Sequence, residues 1–147
     1  MPRSLANSGY GATFSIGDDA SPTGWTLVNE IASINKKNFT VTSIDTTHLT
    51  SPNATEEMTP GLIKPGTVEM TGNYIGSADQ LQFVTLAQAR QEFPFKVTAP
   101  MQKNTKLYTG LGNCFVTDYE TGPFEANKKI DFKVTMQVTG TVTETVV

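Results

Sequence analysis

The sequence is poor in the residues on which nucleophilic and metal chemistry depends. It contains one cysteine, Cys114, and one histidine, His48. A single cysteine excludes an internal disulfide and a cysteine-based zinc site. Any Ser-His or Cys-His nucleophile system would have to use His48. We therefore predict no enzymatic activity, no catalytic residue, no metal ion and no cofactor.

Charge is scarce as well. Charged residues make up 17% of the chain, against about 25% in an average soluble protein, and the formal net charge is −3. Proteins that grip nucleic acid need clustered Lys and Arg to displace counterions, so specific DNA binding is not expected. Threonine is the commonest residue, and the cores of protein interfaces are likewise depleted in charge. This composition favours a β protein that assembles.

Long apolar runs are missing. No stretch approaches the ~20 apolar residues of a membrane-spanning helix, and nothing near Met1 has the apolar core of a signal peptide. We expect no membrane partner and assembly in the cytosol. The 147 residues fit one domain, 1–147, in which 1–11 mixes Gly, Ser, Asn and Pro and predicts a flexible arm.

Strand patterns dominate what is present. Ile130 to Val138 alternates apolar and polar residues, which predicts a core strand. Thr40 to Asp45 and Thr67 to Tyr74 are interpreted as two paired strands. Trp25 to Ile34 predicts one long strand with apolar residues on both faces. Gly110-Leu111-Gly112 predicts a turn between two strands, because it lacks the rest of a nucleotide-binding motif.

One helix is predicted, from Ser77 to about Gln91. Ser77 and Gln80 have the spacing of a capping box. An apolar stripe should face the sheet; it comprises Leu81, Phe83, Val84 and Ala87. Leu86 falls off that stripe, so it is either an isolated exposed leucine or, together with Ala89, a lateral contact to an adjacent subunit.

The segment 46–66 is long for a connection inside a compact domain. It shows no helical or strand period, although such connections usually have about 4–6 residues. Half of it going outward spans at most about 33 Å at about 3.3 Å per residue, which is enough to cross onto another subunit. Its polar composition predicts mobility in the free protein and order on binding a partner.

The residues on both sides of this segment resemble a known family. Three pieces are similar to the core of the major tail tube proteins of siphophages, the bacteriophages with long, non-contractile tails: Val41-Thr42-Ser43-Ile44-Asp45, Pro60-Gly61-Leu62-Ile63-Lys64-Pro65-Gly66 and Val68-Glu69-Met70-Thr71-Gly72-Asn73-Tyr74. The segment 13–18 resembles the family's opening, and Gly122-Pro123-Phe124 with the strand after it resembles its close. The resemblance runs in the family's order from about Ala12 to Gly140.

The resemblance implies an assembly. Tail tube proteins form hexameric rings that stack into a hollow tube. The implied partners are other copies of this chain, a tape measure protein in the lumen, tail terminator and tail tip proteins, and double-stranded DNA that passes through without specific binding. The implied location is the virion tail, assembled in the host cytoplasm.

The assembly reading assigns roles to three sets of residues. The bridge between stacked rings should be the loop from His48 to Pro60, within the long assembly loop 46–66; the bridging residues are His48, Leu49, Asn53, Glu56, Glu57, Met58 and Pro60. The lumen should be lined by polar strand residues, Thr40, Thr42, Glu69, Thr71 and Asn73. Lateral contacts should involve Leu86 and Ala89, with further neighbour contacts from the arm and from a C-terminal tail, 141–147.

The fold class that follows is mainly β. We predict two packed antiparallel sheets, as a sandwich or flattened barrel, with one flanking α-helix and a long inter-strand loop. Two other functions remain open on the sequence alone: a secretion-system tube protein, or a monomeric β-sandwich binding module whose long loop is a ligand surface.

Overall fold

The described part of the chain forms nine strands, one α-helix and a short 3₁₀-helix, Pro52–Ala54. The computed structural model describes residue 4 and residues 6–18, 24–103 and 105–147. The elements are β1 (Thr13–Gly17), β2 (Trp25–Leu27), β3 (Ile31–Lys36), β4 (Phe39–Asp45), β5 (Met58–Pro65), β6 (Thr67–Asn73), α1 (Ala78–Ala89), β7 (Phe93–Met101), β8 (Lys106–Thr121) and β9 (Asp131–Val146). The prediction of a mainly β fold with two antiparallel sheets and one helix is confirmed.

Seven strands form the larger sheet. Their order is β2-β1-β7-β8-β9-β6-β3, so β2 and β3 lie at its two edges. Only Val28, Asn29 and Glu30 separate these two strands in sequence, and four residue steps span at most about 14 Å. The two edges therefore come close together, and the sheet curls into a flattened barrel.

The prediction of a single strand from Trp25 to Ile34 is wrong, because the chain leaves the strand conformation between β2 and β3. Its first part pairs with β1 and its second part pairs with β6. Glu30 has a φ of 62°, a left-handed conformation that no regular strand accommodates. The apolar residues on both faces thus belong to two edge strands of one curled sheet.

The smaller sheet is the hairpin β4–β5. We expected Thr40 to Asp45 to pair with Thr67 to Tyr74, and that pairing is wrong. Strand β4 pairs with β5, from Phe39 opposite Pro65 to Asp45 opposite Met58, whereas β6 lies between β3 and β9. The prolines at 60 and 65 hid β5 in the sequence, but a strand at a sheet edge tolerates proline.

The core lies inside the curled sheet, against α1. Strand β9 shows the predicted alternation, with Phe132, Val134, Met136 and Val138 buried. Aromatic rings join β1, β7 and the helix. The Phe14 ring stacks on Phe95 at a centroid distance of 5.9 Å, and Phe83 of α1 lies 6.1 Å from Phe14. Helix and sheet therefore share one apolar cluster.

The start of α1 is held by Gln80, but not as a capping box. The Gln80 side chain is fully buried. Its amide accepts a hydrogen bond from the Ile75 N–H at 2.9 Å and donates to the carbonyl oxygens of Asn29 and Asn73 at 3.1 and 2.9 Å. The predicted bond back to Ser77 is absent, since Gln80 instead fastens the helix to the β2–β3 link and to the end of β6.

Replacing Gln80 by leucine is expected to lower the free energy of unfolding by about 2–4 kcal/mol. Leucine fills a similar volume but leaves two carbonyls and one N–H without their partner. Urea unfolding followed by circular dichroism measures this loss. Gln88→Leu, on an exposed side of the same helix, is the control and should change stability by less than about 0.5 kcal/mol.

The helix is rotated relative to the predicted stripe. Phe83 and Leu86 are buried, whereas Leu81 is 45% exposed. Two polar residues, Asp79 and Gln80, are also buried, so the inward face is continued by hydrogen-bonding groups that an apolar count overlooks. Burial raises the pKa of the Asp79 carboxyl, but several hydrogen bonds, of which that from the Asn29 N–H has the largest effect, together outweigh burial and lower the pKa.

Gly110 and Gly112 lie inside β8, and the predicted turn there is wrong. Each glycine faces a side chain that would have to move to admit a methyl group. A Cβ on Gly112 would lie 3.0 Å from the Phe95 ring, and one on Gly110 would lie 2.9 Å from Lys36 Nζ and from the Tyr108 hydroxyl oxygen. The two glycines of the motif thus allow neighbouring side chains to lie close to the backbone of β8, and they do not mark a turn.

Candidate assembly surface

The hairpin β4–β5 carries an unusual amount of exposed apolar surface. Seven of its large apolar side chains, with those of the connection between its strands, are exposed: Phe39, Val41, Ile44, Leu49, Met58, Leu62 and Ile63. Leu62 is 83% and Ile63 66% exposed. Isolated two-stranded hairpins are marginally stable in water, and contiguous exposed apolar patches mark interaction sites. The hairpin has the properties of a surface that another molecule covers.

The strand register places much of this surface on one side. Val41 lies opposite Ile63, and Phe39 lies opposite Pro65. Because alternate residues of a strand share a face, these four form one apolar face. Thr40 lies opposite Lys64 and belongs to the other face, on which Ile44 is 52% exposed. Both sides of the hairpin therefore offer apolar contacts.

The predicted bridging loop is shorter than expected. Residues 58–65 of the segment 46–66 form β5, so only the part before Met58 is a loop between the two strands. Met58 and Pro60 lie within this strand. His48, Leu49, Asn53, Glu56 and Glu57 lie between the strands, in the part that we call the tip, residues 46–57.

The tip is organised by its own hydrogen bonds. The Thr46 N–H donates to the Glu57 carbonyl at 2.9 Å, and the Glu57 N–H donates to the Thr47 hydroxyl at 2.8 Å. His48 Nε2 lies 3.2 Å from Glu57 Oε2. These bonds close the end of the hairpin, and the fully exposed Leu49 projects from it.

The tip brings hydroxyl groups, a carboxylate and an imidazole together on an exposed turn. Ser51 Oγ donates to Glu57 Oε2 at 2.6 Å. His48 Nδ1 accepts the Thr50 N–H at 3.2 Å and lies 3.0 Å from the Thr50 hydroxyl oxygen. Both contacts at Nδ1 come from a residue only two positions along the chain, as in a tight turn, so these bonds organise the turn itself.

The proposed lumen residues separate into two groups. Glu69, Thr71 and Asn73 lie on β6, where alternation places them on the side away from the buried Val68 and Met70. Thr40 and Thr42 lie on β4, in the other sheet. These two threonines do not share a sheet with the β6 residues, because β4 pairs with β5, and their assignment to the lumen stays a prediction.

The β6 face continues across neighbouring strands as a polar surface. Glu69 lies opposite Thr135, and Thr71 lies opposite Lys133 of β9. The Ser33 and Thr71 hydroxyl oxygens are 2.6 Å apart. Asp118 and Glu120 of β8 flank the same part of β9. The face is polar with more carboxylates than lysines.

The lateral contact residues also differ in position. Leu86 belongs to the buried core, so the expectation that it is exposed for a neighbouring subunit is wrong. Hydrogen-bonded Asp79 and Gln80 set the rotation of α1 that turns it inward. Ala89 is exposed at the end of the helix.

Both ends of the chain make contacts with the larger sheet or its connections. Residues 141–146 continue β9 and pair with β8, with Val146 opposite Tyr108, so the predicted tail is part of the larger sheet. In the arm, residues 1–3 and 5 lie outside the described residues. The Asn7 side-chain oxygen accepts the Lys103 N–H at 2.9 Å, which ties the arm to the β7–β8 connection.

Within the described ranges, no group of three or more His, Cys, Asp or Glu side chains is placed to hold a metal ion. None of the helices described there has the length and apolarity to cross a membrane. Burial raises the pKa of the Cys114 thiol, which is fully enclosed in the core. A raised thiol pKa makes this cysteine unreactive.

Comparison with known proteins assigns the fold to a class of tube components. The sequence matches no protein-family profile, and no curated protein sequence matches it significantly. Solved structures do match. The tail of an empty gene transfer agent particle, refined helically with C6 symmetry, has a TM-score of 0.75 at 14% identity, covering 95% of this chain and 99% of that chain.

Two further structures agree. The tube-terminating cap of the anti-feeding prophage has a TM-score of 0.74 at 15% identity, covering 100% of this chain and 95% of that chain. The SPP1 tail tube has a TM-score of 0.65 at 14% identity, covering 96% of this chain and 78% of that chain. The chain has the fold of tail tube and injection-system tube proteins, which confirms at the level of the fold the resemblance found in the sequence.

Proposed function

We propose that this chain is the structural subunit of a phage tail tube, in which hexameric rings stack into a hollow conduit. The observation that carries the proposal is the hairpin β4–β5, whose large apolar side chains are exposed to water in the single chain. The shared fold with tail and injection-system tubes supports an identical copy as the molecule that covers it.

The hairpin is the proposed bridge between rings. It joins the body at its root, where the Gln137 side chain donates to the Gly66 carbonyl at 3.0 Å, and its exposed apolar side chains lie beyond that root. Burying such side chains stabilises an interface by about 25 cal/mol per Å² of apolar surface. The tip residues His48, Leu49, Asn53, Glu56 and Glu57, with Met58 and Pro60 of β5, are the proposed contacts to the next ring.

The polar β6 face is the proposed lumen wall. Its support is the surplus of carboxylates around Glu69, Thr71 and Asn73, because a mildly acidic wall repels the DNA backbone and lets it pass. The same face would enclose the tape measure protein before the DNA. Ala89 remains a proposed lateral contact, as do the arm and residues 141–147, and the ends of the tube would meet terminator and tip proteins.

Electron microscopy of the purified, concentrated protein tests the proposal. The purified protein is expected to form tubes or sixfold rings. The same tubes are expected in the virion tail, after their assembly in the host cytoplasm. Dispersed particles with affinity for a glycan or peptide would contradict it and support a binding module. A variant with residues 46–57 replaced by a two-residue Asn-Gly turn is expected to stay folded and to lose stacking.

The lumen assignment predicts protection of position 69. In a Glu69→Cys variant, a bulky maleimide should label the unassembled chain readily and assembled tubes at least tenfold more slowly, because the tube wall blocks access. Mass spectrometry measures the labelled fraction, and Cys114 contributes no background since it is buried. Equal labelling of free chains and tubes would place the β6 face outside.

A further inference from the structure

Four side chains from separate parts of the chain meet at the root of the hairpin. Lys36 Nζ donates to Glu144 Oε1 at 2.8 Å and to the Tyr108 hydroxyl at 2.7 Å. That hydroxyl donates to Glu144 Oε1 at 2.7 Å, and the Asn38 side-chain amide donates to the same oxygen. One carboxylate oxygen thus takes three hydrogen bonds, from the ends of β3 and β8 and from the residue that precedes β4. We call this cluster the root clamp.

The charges of the root clamp fix its geometry. The Lys36 side chain is only 8% exposed, and a buried ammonium group needs an ionic or hydrogen-bonded partner. The hydrogen bond from Lys36, followed by that from Tyr108, lowers the pKa of Glu144. Lys36 Nζ also lies 5.4 Å from the centre of the Tyr108 ring. Few other orientations of the Lys36 side chain would give its ammonium group these hydrogen-bond partners.

Gly110 leaves the space in which the root clamp forms. It lies opposite Glu144 in the β8–β9 register. A Cβ at this position would lie 2.9 Å from both Lys36 Nζ and the Tyr108 hydroxyl oxygen. The root clamp therefore explains the first glycine of the Gly110-Leu111-Gly112 motif.

The root clamp is placed to control the hairpin. Asn38 immediately precedes β4, and its carbonyl accepts the Gly66 N–H at 3.0 Å where the chain returns from β5. Glu144 lies near the end of β9, in the larger sheet. The bond between Asn38 and Glu144 therefore joins the narrow root of the hairpin to the body.

We infer that Lys36, Asn38, Tyr108 and Glu144 are positioning residues that set the direction in which the hairpin projects, so that it docks onto the next copy of the chain. The inference rests on the proposed tube function for the docking step. The root clamp itself does not contact the partner. Its effect on the direction of the hairpin exists already in the single chain, which allows the two ideas to be tested separately.

The direct test measures distances in the unassembled chain. Spin labels on Thr55→Cys in the tip and Gln88→Cys on α1 report the distance between hairpin and body by double electron–electron resonance. The native Cys114 is fully buried and does not interfere. We expect one narrow distance distribution in the parent and at least a twofold broader one in Glu144→Ala.

Two further variants separate the root clamp from general effects of charge. Gly110→Ala changes no charge but displaces Lys36 and Tyr108, so it should broaden the distribution as Glu144→Ala does. Both displaced groups are ends of flexible side chains, so the fold should persist. Glu125→Ala removes a carboxylate whose partner, Lys128, is on the surface, and it should leave the distribution narrow.

Acid should open the root clamp. The groups that face Glu144 are Lys36 from β3, Tyr108 from β8 and the neutral Asn38. The Glu144 pKa is lowered in the folded chain, so its stabilising effect is complete above the ordinary value of 4.5 and is lost as the pH falls through the lower folded pKa. The parent distribution should broaden only below pH 4.5, and the Glu144→Ala distribution should not depend on pH.

Assembly is the second measurement. Light scattering should show Glu144→Ala forming tubes at least tenfold more slowly than the parent, with Glu125→Ala at the parent rate. An unchanged narrow distribution in Glu144→Ala would overturn the inference, whether or not assembly is lost. If the parent forms no tubes, the tube function fails while the distance measurement still decides on the root clamp.

Discussion

Replacing Ile63 by glutamate is expected to abolish tube formation while the free chain stays folded. Ile63 is 66% exposed in β5, so the single chain loses little, and its melting temperature should shift by less than about 2 °C. In an assembled tube, the carboxylate would be buried without a partner. That burial costs several kcal/mol, which raises the concentration needed for assembly by roughly 100-fold or more.

The control for this prediction is Ile63→Val, which keeps the apolar face and should assemble as the parent does. Sedimentation and electron microscopy measure the assembled fraction over a range of concentrations, and calorimetry measures the melting temperature. Normal tubes from the glutamate variant would show that the apolar face of the hairpin remains in water after assembly.

Replacing Phe83 by alanine is expected to cause the largest loss of stability, about 3–5 kcal/mol. Phe83 is fully buried and contacts the rings of Phe14 and Phe93 at centroid distances of 6.1 and 6.4 Å. Alanine leaves a cavity where α1 meets the sheet. The melting temperature should fall by roughly 6–20 °C.

Leu81→Ala provides the comparison, because Leu81 lies on the same helix but is 45% exposed. Its replacement should lower the free energy of unfolding clearly less than Phe83→Ala does. Chemical denaturation of both variants measures the difference. A Phe83→Ala variant as stable as Leu81→Ala would mean that α1 is dispensable for the sheet, contrary to the shared aromatic cluster.

Local patterns predicted strand β9 and the start of helix α1. The alternation from Ile130 to Val138 identified β9 because a strand with one buried face repeats every two residues. The start of the helix was identified by Ser77, which is the residue before α1. These signals depend on neighbours in sequence, and they hold wherever the element lies in the fold.

Pairing between distant strands was not predictable in the same way. Thr40 to Asp45 has a strand pattern that several partners would satisfy, and the true partner, β5, contains the prolines of a typical loop. The position of Leu86 was missed for a related reason. Hydrogen bonds made by buried Gln80 with residues outside the helix decide which side of α1 faces inward, and an apolar pattern carries no information about them.

The candidate site differs in character from what the sequence indicates. The length and polarity of the segment around His48 point to a polar loop, whereas the structure shows that the exposed apolar residues of the flanking strands are its main feature. Phe39, Val41 and Ile63 have the character of core residues in the sequence. Only the register of β4 and β5, which places them on an uncovered sheet, distinguishes them from the core.

The order of strands in the larger sheet has a consequence for how fast the chain folds. Phe14 of β1 pairs with Val97 of β7, so the sheet closes only after most of the sequence has come together, and such non-local pairing is slow. The hairpin β4–β5 needs only its own residues and forms on the scale of about 1–10 μs. During synthesis its exposed apolar strands therefore emerge before the body is complete, and nascent chains are most prone to misassociate in that interval.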